Sequence, residues 1–142
     1  MSGNGLEAIP EELFKLKYLR RLNMSFNLVS EWDDVPMHLE GLSLSNNKIS
    51  DITGYLTQMQ RLIFLDLSNN CLTMITPLDR VPTLQFLYLR NNRISECREL
   101  ANLKDLQEVN LQGNLISAWE VRSRLLTLVM FASKPSDSTG TS

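Results

Sequence analysis

The residues that could do chemistry in this 142-residue chain are few and scattered. Its one histidine, His38, has no second His or Cys at ligand spacing, and a metal ion needs several such donors close together. Ser45-Asn46-Asn47 and Ser68-Asn69-Asn70 offer hydroxyls with no general base beside them, so they lack the makings of a nucleophile. The expectation is no catalytic residue, no metal and no cofactor. Amides, by contrast, are regular. Asn27, Asn47, Asn70, Asn92 and Asn114 follow one another at steps of 20, 23, 22 and 22 residues. A carboxamide both donates and accepts hydrogen bonds, so a buried one can serve the N–H and C=O groups of a bent backbone together. Such spacing demands an element that repeats with it.

That element surrounds each asparagine. Leu39, Leu42, Leu44, Asn47 and Ile49 follow the form LxxLxLxxNxI. The form returns at Leu62, Leu65, Leu67, Asn70 and Leu72, at Leu84, Leu87, Leu89, Asn92 and Ile94, and at Leu106, Val109, Leu111, Asn114 and Ile116. A looser copy precedes them at Leu19, Leu22, Met24, Asn27 and Val29. Apolar and polar residues alternate through the LxL core, the period of a half-buried strand. After each strand the asparagine marks a sharp bend, and stacked copies would align these amides as a ladder. In the return segments, Ile75, Leu78 and Val81, and then Cys97, Leu100 and Leu103, are spaced by three, which suits a short 3₁₀ turn with one buried face. Trp32 and Trp119 occupy the position of Ile52, Ile75 and Cys97, three residues past the last motif residue, and are expected in the core. Cys71 follows a ladder asparagine and is expected at the surface, away from Cys97. One repeat cannot bury both its faces, so neighbours must stack.

The segments from Leu62 to Leu106, with Ile94, Leu100 and Leu103, resemble the 22-residue class of leucine-rich repeats, typified by a regulatory subunit of protein phosphatase 1. The opening, Leu6, Ile9, Pro10, Leu13 and Leu16, is similar to a 23-residue type. The resemblance implies an α/β right-handed solenoid. A parallel β-sheet of five or six strands would line its concave face, with short helical, 3₁₀ or irregular segments on the convex face. Residues 1–116 would form one partial and five full repeats, because Asn4 lies a further 23 residues before Asn27. Residues 117–132 would begin a capping helix lacking its usual close, and residues 133–142 a disordered Ser/Thr/Gly tail. The chain therefore reads as a fragment, an isoform or a partial gene model.

In such a fold, function lives on the outward-facing side chains of the strands. The first outward row is Arg21, Gly41, Phe64, Phe86 and Glu108; the second is Asn23, Ser43, Asp66, Tyr88 and Asn110. The third is Ser25, Ser45, Ser68, Arg90 and Gln112. Aromatic rings beside arginine are common at binding hot spots. Phe64, Asp66, Phe86, Tyr88, Arg90 and Glu108 are the candidate partner-binding residues, against the plainer reading that Phe64 and Phe86 only stack across strands. Fourteen Lys plus Arg against 16 Asp plus Glu give a net charge of −2, which argues against a nucleic-acid partner. No apolar run reaches the roughly 18 residues of a membrane span. No signal-peptide pattern opens the chain, so an intracellular site, cytoplasmic or nuclear, is expected. The expected role is a non-catalytic scaffold holding a protein. The alternatives are a recognition fragment of a larger enzyme and an RNA–protein assembly factor.

Overall fold

The computed structural model describes residues 1–118 other than positions 34 and 55. Five three-residue strands lie side by side in chain order: β1 (Arg21–Asn23), β2 (Gly41–Ser43), β3 (Phe64–Asp66), β4 (Phe86–Tyr88) and β5 (Glu108–Asn110). All neighbours are parallel, because each repeat is long enough to carry the chain round and back to the same end of the sheet. The register is set by the motif itself. Leu22, Leu42, Leu65, Leu87 and Val109 align as one inward row, each 8% exposed or less.

Opposite the sheet run, among the described residues, four 3₁₀ helices, η1 (Glu11–Lys15), η2 (Leu56–Gln58), η3 (Thr76–Arg80) and η4 (Arg98–Asn102). Three residues per turn bring positions i and i+3 onto one edge. Ile75, Leu78 and Val81 are buried in this way, as are Cys97, Leu100 and Leu103. Ile75 and Cys97 enter η3 and η4 with nearly the same backbone angles, so the thiol stands where the previous repeat has an alkyl group. The coil between β1 and β2 is shorter and carries no 3₁₀ helix among the described residues; Trp32 fills it instead. Trp32 is 3% exposed and its indole N–H donates to the Asp51 carbonyl at 3.1 Å. Trp119 and the expected capping helix and tail lie outside the described residues.

The asparagines turn inward and bond in a constant pattern. Asn70 Oδ1 accepts the Ile49 N–H of the preceding repeat at 3.0 Å, while its Nδ2 donates to the Leu44 and Leu67 carbonyls at 2.9 and 3.0 Å. Asn47 does the same for Val29 N–H with the Met24 and Leu44 carbonyls, and Asn92 for Leu72 N–H with those of Leu67 and Leu89. Asn114 closes the series on Ile94 N–H. At the other end Asn27 Oδ1 takes the N–H groups of Asn4 and Leu6, both at 3.0 Å. No strand precedes β1 among the described residues, so the sheet has five strands there.

One residue before each ladder asparagine, the backbone enters the left-handed region. Gly3, Asn46, Asn69, Asn91 and Gly113 occupy that place, all types that tolerate it. In the first full repeat the same place holds Phe26, at φ 57° and 63% exposed. A phenylalanine there is strained and wet at once.

Candidate functional site

The outward face of the sheet presents its side chains in transverse rows fixed by the register. Arg21, Gly41, Phe64, Phe86 and Glu108 face one another strand by strand, and Asn23, Ser43, Asp66, Tyr88 and Asn110 form the next row. Phe64, Asp66, Phe86, Tyr88 and Glu108 are half-buried, and Arg90 is exposed beyond the end of β4. The aromatic contact runs diagonally: the rings of Phe64 and Tyr88 lie 5.5 Å apart between centroids, tilted by 48°. Such an offset geometry suits two ring quadrupoles better than face-to-face stacking.

Tyr88 is tied further by its hydroxyl, which donates to Glu108 Oε1 at 2.9 Å. Burial, then the hydrogen bond to Glu108, then the negative charges of Glu108 and Asp66 all hold the phenol above its usual pKa of 10.0. Asp66 has a second task, since its Oδ1 accepts the Ser68 N–H at 2.9 Å. Asn23 and Asn110 bond Ser25 and Gln112 in the same fashion. The recurrence of Asn or Asp two residues before that N–H was the available signal for this role.

The third row departs from expectation. Ser25 and Ser45 are buried, at 5% and 8% exposure, and do not face a partner. Ser45 Oγ donates to Ser25 Oγ at 3.0 Å, and Ser25 Oγ lies 2.7 Å from Ser43 Oγ, forming a short hydroxyl chain between β1 and β2. Alternation holds only within the three-residue strand. Once the chain begins its bend, a short side chain can fall beneath its neighbours.

A groove of about 590 Å³ opens beside the aromatic cluster, with Gly41 at its floor. Arg21, Asn23, Glu40, Ser43, Ile63, Phe64 and Phe86 contribute to its walls. Arg21 and Gly41 matter here more than their sequence positions suggested, because both line the groove and the Arg21 stem lies against the glycine. Arg20, not Arg21, makes the ion pair at this end, with Glu40 at 3.2 Å.

The remaining candidates have structural surroundings. His38 Nε2 lies 3.1 Å from the Leu16 carbonyl. Cys71 is half-buried rather than a surface thiol, Cys97 is fully buried, and neither forms a disulfide. Among the described residues no group of three metal-binding side chains converges, and no helix is long and apolar enough to cross a membrane.

The family model for leucine-rich repeats, in two copies, matches residues 38–80 and 82–123. The chain is a leucine-rich repeat protein. It is similar to the human leucine-rich repeat-containing protein 66, with 39% identity over 80 residues; these are 53% of this chain and 9% of that protein. An internalin from Listeria monocytogenes shares the fold at a TM-score of 0.77 and 24% identity, over 87% of this chain and 37% of its own. A leucine-rich repeat protein of Leptospira interrogans matches at a TM-score of 0.70 and 28% identity, over 88% of this chain and 40% of its own. This leucine-rich repeat chain thus spans less than half the length of each of these relatives.

Proposed function

We propose that this leucine-rich repeat chain is a non-catalytic module that holds a protein partner on the outward face of its sheet. The observation that carries this reading is the contiguity of Phe64, Phe86 and Tyr88 with an open groove on one repeat-built surface. Half-buried rings flanked by Arg90, Asp66 and Glu108 supply apolar contact area and polar rim on the same patch. The repeat steps of 22 residues from Asn70 to Asn114 support assignment to the class typified by the protein phosphatase 1 regulatory subunit. A recognition role within a larger protein is the second reading. It is favoured by the match to the human relative covering only 9% of that protein.

The test is a pull-down with wild type, Phe86→Ala and Tyr88→Ala. Each substitution is expected to weaken capture by about 2 kcal/mol or more, with an unchanged circular dichroism spectrum. Arg90→Ala should chiefly slow association and reduce its salt dependence. Retention of the partner by both aromatic variants, with loss on deleting residues 118–132, would move the binding surface off the sheet.

A further inference from the structure

We infer that the segment held on this face is an extended peptide of fixed order: an acidic residue, then a bulky apolar residue, then a basic residue about five positions on. The inference rests on the docking reading above and names the chemistry of its partner.

The first outward row reads cation, gap, ring, ring, carboxylate across the five strands, from Arg21 through Gly41, Phe64 and Phe86 to Glu108. A Cβ built on Gly41 would find Arg21 Cγ at 3.3 Å, with Arg21 Cδ and Cβ next at 3.8 and 3.9 Å. The gap is therefore bounded on one side by a flexible aliphatic stem and on the other by the groove wall of Phe64 and Phe86. The Arg21 stem leans over the glycine itself, and the room for one bulky apolar side chain from outside lies in the groove of about 590 Å³ that Arg21, Gly41, Phe64 and Phe86 line. The guanidinium that borders it makes no ion pair among the described residues, since the neighbouring pair is Arg20 with Glu40. A carboxylate adjacent to the inserted side chain would meet that guanidinium.

At the far end the signs reverse. Glu108 has no cation within ion-pair distance among the described residues; Oε1 receives the Tyr88 hydroxyl, and Asp66 adds negative charge to the same corner. Arg90 lies beyond the end of β4, off this row. Parallel strands are about 4.8 Å apart, so four spacings place Glu108 roughly 19 Å from Arg21. An extended segment at about 3.3 Å per residue covers that span in five or six residues. Its reverse order would set like charges against each other at both ends, which is how charged rims select orientation.

Two octapeptides of identical composition separate the outcomes: Asp-Asp-Phe-Ser-Gly-Ser-Lys-Lys, and Lys-Lys-Phe-Ser-Gly-Ser-Asp-Asp, which places the ring beside the bases. Binding is read from amide chemical-shift changes in the whole chain. The first peptide is expected to bind at least tenfold more tightly than the second. Gly41→Leu should abolish that advantage while the thermal melt stays near wild type, because its Cβ meets the pliable Arg21 stem and the rest of the side chain has the open groove to enter. The double variant Arg21→Glu with Glu108→Lys should prefer the second peptide. No binding of either peptide at millimolar concentration, or an unchanged preference in the double variant, overturns the inference. If Phe86→Ala weakens both peptides equally while the order of preference never switches, the docking face stands and the charge order falls. If both peptides bind and neither responds to Phe86→Ala, the docking face itself is wrong.

Discussion

The hydroxyl of Tyr88 on β4 donates to Oε1 of Glu108 on β5 at 2.9 Å, joining the aromatic cluster to the last strand. Burial first, then the hydrogen bond to Glu108 and the negative charge beside it, disfavour ionising this phenol and hold its pKa above the usual 10.0. The linkage has a definite sign. A pKa raised on folding gives stability that is whole below the unfolded value of about 10 and is lost as pH rises through the folded value. Tyrosinate absorbance, with Tyr88→Phe as the difference reference, should show a late titration. Glu108→Gln should bring it only partly back, since burial is the larger cause. An identical curve in Glu108→Gln would mean that the hydrogen bond is not maintained in solution.

Asn70→Leu should destabilise the fold by about 2–3 kcal/mol, because it orphans the Ile49 N–H and takes one of two amide donors from each of the Leu44 and Leu67 carbonyls, which keep Asn47 and Asn92. Asn70→Asp keeps the acceptor but loses the Nδ2 donations to Leu44, Leu67 and Ser68, and should also be poorly tolerated. Ser45→Ala removes a single buried hydroxyl bond to Ser25 and should cost about 1 kcal/mol. Urea melts rank the three. Equal losses would contradict the ladder.

Phe26→Asn should stabilise the protein by about 1 kcal/mol, by removing a bulky residue from the left-handed region. Asn46, Asn69 and Asn91 hold the same place with nearly the same φ, so the replacement has local precedent in the chain. A lower melting temperature would show that Phe26 makes up for its strain elsewhere.

Gly113→Ala should do the opposite. At φ 72° the glycine is in the left-handed region, and a Cβ there would fall on the side-chain oxygen of Asn91. That side chain donates to Asn69 Oδ1 at 2.8 Å, so the disturbance passes to the next repeat. A loss of about 1–2 kcal/mol is expected in the same melts.

The repeat, its inward leucines and the asparagine ladder could all be read from spacing, because each obeys a periodicity the sequence displays. The candidate face was legible to the same depth: the rows containing Phe64, Phe86 and Tyr88 follow from alternation within a strand. What escaped depends on contacts between repeats. Ser45 is buried by neighbours that no spacing rule names, and the ring contact pairs Phe64 with Tyr88 rather than with its register partner Phe86. The groove at Gly41 depends on Arg21, Phe64 and Phe86 meeting around a glycine, which no spacing within one repeat displays.

The asparagine ladder also gives the molecule a direction in time. Each carboxamide oxygen accepts an N–H from the repeat before it: Asn47 serves Val29, Asn70 serves Ile49, Asn92 serves Leu72 and Asn114 serves Ile94. A newly made coil therefore emerges from the ribosome with that N–H still open to water. The matching oxygen arrives one repeat later, after about 1–4 s at roughly 5–20 residues per second. Each of these coils is locked by its successor.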